Sequence, residues 1–329
     1  MVWLKFLLSL IIILFAGTKL ARYGDAIAEK TGLGRIWIGL VLLAIVTTIP
    51  ELVTGISATV LVKLPNLGLG TLLGSCLFNL SILALLDVLC RGNPILSKAS
   101  SGHMISAGTG VLLIALVGGS ILAGERLTGL GLGWIGISSI VIIILYLAGA
   151  RQIFRFEQKR QLASSQAKSS LYEKIPTRVV YLRFTLSAIA VIGAGIWLSF
   201  IGDEIIETTG WDASFVGSLF LAITTSMPEL AVTVAAVRLG AIDMAVADIL
   251  GANMLDILGV TIIDLFYTQG PILTVASDSH ITTAALAAVM SLLVIAGLRF
   301  RQKRKTFIVI SWYTPLLIGL YILGTYILF

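Results

Sequence analysis

The sequence predicts an all-α membrane protein, with ten transmembrane helices arranged as two inverted five-helix repeats. Three observations carry this. Of 329 residues, 57% are hydrophobic and only 12% charged, whereas soluble domains carry roughly 25% charged residues. Several apolar runs reach the about 18–25 residues needed to cross a bilayer. The chain also matches itself when displaced by 178 residues, at rare polar positions and glycines where chance seldom gives agreement. A membrane β-barrel would instead show alternating ten-residue segments.

In chain order the spans fall at roughly 3–22, 34–62, 66–89, 104–123, 126–149, 178–200, 212–238, 243–267, 281–298 and 306–328. The first has the composition of a signal peptide, but its counterpart in the second half argues that it is retained. The second and seventh are long and hold Pro50 and Pro228. Residues 150–177 form the one sizeable polar segment. It is too short for a core of its own, so it reads as a solvated linker between repeats at 1–149 and 178–329. Trp197 and Trp211 stand near span ends and read as interface anchors.

Charge sets the orientation. With ten spans, all of the 23 lysines and arginines except Lys5, Lys63 and Arg126 fall on the side of the loops that follow odd-numbered spans. That side is cytoplasmic by the excess of basic residues, which leaves both termini outside. The net charge of +6 is therefore topological and no nucleic-acid footprint. The segment GDEIIETTGWD, 202–212, reads as an acidic outer loop. Cys76 and Cys90 give no disulfide or metal spacing.

In the self-match, Ala44, Thr47, Pro50 and Glu51 meet Ala222, Thr225, Pro228 and Glu229. At an offset of 177, Gly74 meets Gly251, Asn79 meets Asp256, Asp87 meets Asp264 and His103 meets His280. Five spans is an odd number, so the second copy enters the membrane inverted. Inverted repeats with interrupted helices are a transporter architecture, with the substrate site near the midplane. Asp87 and Asp264 lie near span ends and read as solvated boundary residues; His103 and His280 read as interfacial.

An ionised carboxylate at the bilayer centre costs about 2.5–3.5 kcal/mol on insertion scales. The apolar parts of the spans hold no Lys or Arg to pair with Glu51, Glu229 or Asp256, so a cation is the simplest partner. Each proline lacks an N–H and crowds the carbonyl four residues back, at Val46 and Thr224. Loosened carbonyls, the hydroxyls of Thr47 and Thr225 one turn before each Glu, and the carboxylates make a set of hard oxygen ligands. Ser75 and Asn79 on GSCLFN, and Asp256 on GANMLD, extend it. Oxygen ligands in flexible geometry suit calcium; no Cys/His cluster suggests zinc or copper. A site with three acids releases a divalent ion only when other cations replace it, which favours exchange. A cation channel is the rival from another class. No nucleophile–base pair, His-based metal set or ATP motif suggests an enzyme or a pump.

TTIPEL with GSCLFN, and TTSMPEL with GANMLDI, resemble the two α-repeats of the calcium/cation antiporter superfamily, most closely its prokaryotic sodium/calcium exchangers. The resemblance covers nearly the whole chain. It implies the exchanger fold, alternating access, and calcium and sodium as transported substrates, with no organic cofactor. By resemblance, Glu51 and Glu229 are central calcium ligands shared with sodium. Thr47 and Thr225 give carbonyl and hydroxyl oxygens, Ala44 and Ala222 carbonyls to flanking sodium sites, Ser75 serves the inner sodium site, and Asn79 and Asp256 the middle of the cluster. Three departures stand out. Ala252 replaces the serine expected at the outer sodium site, Cys76 replaces an asparagine, and Gly70-Thr71 and Ala247-Asp248 replace a Gly-Asn pair in each repeat. Asp248 is an added acid, on one face with positions 252 and 256, and is a candidate to compensate electrostatically or carry a proton. The reading is a calcium/sodium antiporter in a prokaryotic plasma membrane, functional as a monomer, with proton or potassium coupling as the alternative.

Overall fold

A computed structural model describes residues 1–31, 44–90, 92–127, 129–162, 175–238, 240–302, 304–307 and 310–329. The described residues are mainly helical, with a two-stranded hairpin pairing Gly131–Leu132 with Ile135–Gly136. The main helices are α1 (Val2–Thr31), α2 (Ala44–Thr47), α3 (Ile49–Val60), α4 (Pro65–Leu89), α5 (His103–Ala123), α6 (Ile137–Leu162), α7 (Thr177–Thr209), α8 (Ala213–Val216), α9 (Ala222–Thr225), α10 (Met227–Arg238), α11 (Ile242–Phe266), α12 (Ser279–Arg299) and α13 (Tyr313–Leu328).

Among the described residues seven helices are long and apolar enough to cross a membrane, or eight if the bent run 213–238 is one span. α3 and α13 are apolar but shorter. The start of the expected span 34–62 lies outside the described residues as far as residue 43, as does 163–174 of the expected linker. Three boundaries differ from the sequence reading. Glycines interrupt 126–149: Gly129 and Gly133 have φ of +86° and +64°, a left-handed region open chiefly to glycine. The chain turns there as a hairpin, and the helix starts at Ile137 and runs on to Leu162. α7 continues to Thr209 and stops at the left-handed Gly210, so most of the acidic segment is helix, not loop. Glu204 pairs there with Lys5 of α1 at 2.6 Å. The last helix starts at Tyr313, and Asp87 accepts from Ser311 just before it and from Tyr313 and Thr314 in its first turn.

The helices at the centre are α4 and α11, each 72% buried over its span, against 29% for α1 and 22% for α6. They pack on each other and on α5 and α12, and their Leu and Ile side chains form the main core. α1 runs along α7 beside this bundle. Close backbone approach fixes α4 against 213–221: a Cβ on Gly74 would sit 2.4 Å from the Ser218 backbone. On that stretch Gly217–Leu221 forms a π-helical turn. Gly17 of α1 admits Pro228, and Gly195 of α7 faces Val53 and Thr54. Trp211 is half-buried and stacks on Phe220 with ring centroids 5.4 Å apart.

The boundary acids are corrected outright. Asp87 and Asp264 are buried, at 0% and 1% exposure, because each satisfies a chain that turns back onto its helix. Asp87 Oδ1 accepts from Ile95 N at 3.0 Å, and Asp264 Oδ1 from Ile272 N at 2.7 Å. Asp87 also accepts from Ser311 N, Ser311 Oγ, Tyr313 Oη and Thr314 Oγ1 at 2.8–2.9 Å. Asp264 accepts from Gly136 N at 2.9 Å and Ser139 Oγ at 2.6 Å. His103 and His280, at the starts of α5 and α12, are likewise buried. His103 Nε2 lies 3.1 Å from Asp243 Oδ1, which also accepts from Ser100 N. At the position matching Asp243 stands Asn66, whose Oδ1 accepts from Ser277 N at 2.9 Å.

Removing the Asp87 carboxylate strands several buried donors at once. Asp87→Ala is expected to destabilise the fold by about 3–5 kcal/mol, read as a lower unfolding midpoint in detergent, while the surface change Asp203→Asn leaves the midpoint within error.

Candidate cation site

Two broken helices and the two central helices build the site. α2 and α3 are separated at Thr48, and α9 and α10 at Ser226, each two residues before a proline. Both break residues sit near ψ = 0, with φ/ψ of −79°/−3° and −85°/7°. The reason is local: a proline removes one ladder hydrogen bond and disfavours helical geometry in the residue before it. The second break bends the helix by 43°. Each Glu follows its proline directly and stands in the first turn of the new helix, where the N-terminal end of the helix dipole favours negative charge.

Every predicted site residue is buried: Ala44, Thr47, Glu51, Ser75, Asn79, Ala222, Thr225, Glu229, Asp248 and Asp256 are all at 0–1% exposure. Glu51 Oε1 accepts from Ser226 Oγ at 2.8 Å, and that hydroxyl lies 3.0 Å from Ser75 Oγ. One hydroxyl thus ties α3, α4 and the second break together. Asn79 Nδ2 donates to Asp256 Oδ2 at 3.4 Å across the α4–α11 contact. The positions matched in the sequence repeat therefore meet in space. The same holds for Cys76 and Asn253, since Asn253 Nδ2 donates to the Cys76 carbonyl at 3.3 Å.

Thr47, Thr225, Ala44 and Ala222 are less open than expected. The Ala44 carbonyl accepts from Thr47 Oγ1 at 3.2 Å, Thr48 Oγ1 at 2.8 Å and Thr48 N at 3.0 Å. The Ala222 carbonyl accepts from Thr225 Oγ1 at 3.2 Å and Ser226 N at 3.0 Å. The two halves also differ: Ser226 reaches across to Glu51, while its counterpart Thr48 turns back onto its own helix.

The carboxylates are the unsatisfied groups. Among the described residues Glu51 Oε2, both oxygens of Glu229, both of Asp248, and Asp256 Oδ1 are buried without a hydrogen-bond partner, as are Asn79 Oδ1 and Asn253 Oδ1. Glu51, Asp248 and Asp256 all lie within Coulombic range of Glu229. No lysine or arginine pairs with them among the described residues. The acids are strung out rather than gathered on one point: among the described residues no three His, Cys, Asp or Glu side chains stand close enough to hold one ion. An ion here would take one or two carboxylates, with hydroxyl, amide and carbonyl oxygens completing its shell.

Residues 1–151 and 179–329 match the model of the sodium/calcium exchanger protein family. The chain belongs to that family. Its curated relatives include the inner membrane protein YrbG of Escherichia coli, 25% identical with 86% of this chain and 85% of that protein covered. Another is the membrane protein MJ0091 of Methanocaldococcus jannaschii, 23% identical with 97% and 95% covered. Structures of the sodium-calcium exchanger NCX_Mj superpose with a TM-score of 0.64 at 21% identity, covering 98% of both chains. That likeness shows that the exchanger chain and NCX_Mj share a membrane fold.

Sequence reasoning missed Ser226 and Asn253 in this exchanger. A signal for each was present: Ser226 repeats Thr48, a hydroxyl three residues before the Glu, and Asn253 repeats Cys76. Ser226→Ala removes both bonds of that hydroxyl. A hydrogen bond to a charged group contributes about 1.5–3 kcal/mol to stability, so the variant is expected to unfold at a clearly lower midpoint in detergent than the parent.

Proposed function

We propose that this exchanger is a secondary antiporter that carries calcium against sodium at a midplane carboxylate site, by alternating access. The observation that carries the proposal is the set of buried carboxylate oxygens without donors on Glu51, Glu229, Asp248 and Asp256. A buried ionised carboxylate is several kcal/mol uphill unless paired. Emptying such a site leaves like charges facing one another in a poorly solvated interior, so an outgoing divalent ion is exchanged for monovalent ions.

In this proposal Glu51 and Glu229 are the shared central ligands. Asn79 and Asp256 flank them, Ser75 with Ser226 lines the side next to Glu51, and Thr47, Thr225, Ala44 and Ala222 offer carbonyl and hydroxyl oxygens at the two broken helices. The ten spans form two inverted five-helix repeats, 1–149 and 178–329, joined by a cytoplasmic linker at 150–177, with both termini outside. The protein works as a monomer in the plasma membrane. Family membership and the shared membrane fold support this reading, and the pairing of repeat-equivalent side chains across α4 and α11 fits it.

Two residues favour a second reading of the counter-ion. Ala252 removes a hydroxyl from α11, and Asp248 adds a carboxylate about 12 Å along the same helix from Asp256. Protons or potassium could then replace or accompany sodium.

Calcium uptake into proteoliposomes under imposed sodium, potassium or proton gradients tests the proposal. Uptake is expected only with a counter-ion gradient, and Glu51→Gln and Glu229→Gln are each expected to lower it by at least about 100-fold. Calcium flux without a counter-ion, or full uptake in both variants, overturns it. Asp248→Asn is expected to reduce the steepness of uptake against the driving cation, and an unchanged profile excludes Asp248 from the site.

A further inference from the structure

The thiol of Cys76 lines this site and serves none of the roles above. It is fully buried in α4. Its Sγ lies 3.9 Å from Asp256 Oδ2 and 3.8 Å from the Asn253 carbonyl, both on α11. Among the described residues Asp256 Oδ1 has no hydrogen-bond partner, and neither has Asn79 Oδ1 or Glu51 Oε2; all three side chains belong to residues at least 99% buried. Glu51 is within Coulombic range of the thiol. Asn79 already touches Asp256 Oδ2 through its amide, at 3.4 Å. The amide's oxygen and nitrogen occupy nearly the same volume, so the same side chain turned over presents its oxygen.

We propose that Cys76, Asp256 and Asn79 bind a soft or borderline divalent cation of the zinc and cadmium class, and that this ion locks the transporter instead of passing through it. Sulfur prefers such ions over calcium or sodium, which take oxygen ligands. The geometry is close to what a metal needs. A tetrahedral zinc ion at about 2.3 Å from sulfur and about 2.1 Å from oxygen holds the two roughly 3.6 Å apart. The observed 3.9 Å needs little closing for zinc and less for the larger cadmium ion. On binding, the thiol proton leaves to solvent and the metal–sulfur bond takes its place. Two anionic side chains with an amide and a carbonyl or water fill four positions without requiring three acidic or thiol ligands at one point. Because the ligands come from both α4 and α11, a bound ion staples the two central helices and occupies the aspartate that cargo needs. Binding stands on this geometry alone; only the locking clause rests on the antiporter reading.

The test uses the full-length protein with Cys90→Ser, so that Cys76 is the one thiol, and cadmium chloride as probe. Ultraviolet sulfur-to-cadmium charge-transfer absorption is expected to saturate at one cadmium per chain and to vanish in Cys76→Ser and Cys76→Asn. Circular dichroism and unfolding midpoints establish that both variants fold. In proteoliposomes, cadmium is expected to inhibit calcium uptake at least about tenfold less potently in either variant than in the parent. No charge-transfer band in the Cys90→Ser parent, a band that persists in Cys76→Ser, or equal cadmium potency in all three overturns the proposal. Uptake absent under every gradient while the band saturates at one per chain overturns the antiporter and leaves the metal site standing; normal uptake without the band does the reverse.

Discussion

A carboxylate in an apolar interior must find a partner, and this protein's arrangement follows from how it meets that requirement. Four acids, Glu51, Glu229, Asp248 and Asp256, are drawn into the middle of a helical bundle whose described residues offer them no cationic side chain. The helices around them are broken where backbone polarity is needed and tight where it is not. The breaks at Thr48 and Ser226 come from prolines and turn a carboxylate into the first turn of a new helix. The seam at Gly70, Gly74 and Gly217 brings main chain against main chain beside it. Irregular backbone survives at membrane depth only where protein or a water-lined cavity encloses it, and here the central helices α4 and α11 do the enclosing.

Sequence equivalence and structural equivalence part at one point. Thr48 and Ser226 occupy matching positions, each three residues before a matching Glu. Ser226 leaves its own helix to hold Glu51, whereas Thr48 satisfies itself on the Ala44 carbonyl and leaves Glu229 with both oxygens bare. A hydroxyl can bond its own helix or reach outward, and a typical hydrogen bond contributes only about 1 kcal/mol net. The asymmetry is therefore a property of the arrangement and not of the residue types.

Much of this was legible before any coordinates. Long apolar runs, two prolines each followed by Glu, and the self-match at Asn79 and Asp256 point to buried polar groups on particular helices. What escaped has definite physical reasons. The glycine-rich 129–136 stretch is apolar enough to read as a span, and only its left-handed φ values reveal a hairpin. The spans containing Asp87 and Asp264 give no hint of the donors that come from distant segments, around Ser311 and Gly136, so in the sequence nearness to a span end reads as solvation. Ser226 repeats Thr48 in the sequence, but a matched hydroxyl does not say which group it reaches; its use depends on which neighbour comes within about 3 Å. The carbonyls expected to be open at Ala44 and Ala222 accept from nearby threonine hydroxyls, which no spacing in the sequence shows.

The buried acids divide by satisfaction rather than by depth. Asp87 and Asp264 are as buried as Glu229 and Asp256, yet hydroxyls and main-chain N–H groups surround them with donors. A carboxylate filled in this way gains its stabilisation from the fold itself, and an incoming cation would have to displace bonds already made. Glu229 and Asp248 have no such bonds among the described residues, so on the proposed reading what compensates their charge comes from outside the chain and can leave again. The same burial thus produces a structural clasp in one place and a receptive site in another, and the count of donors within reach decides between them.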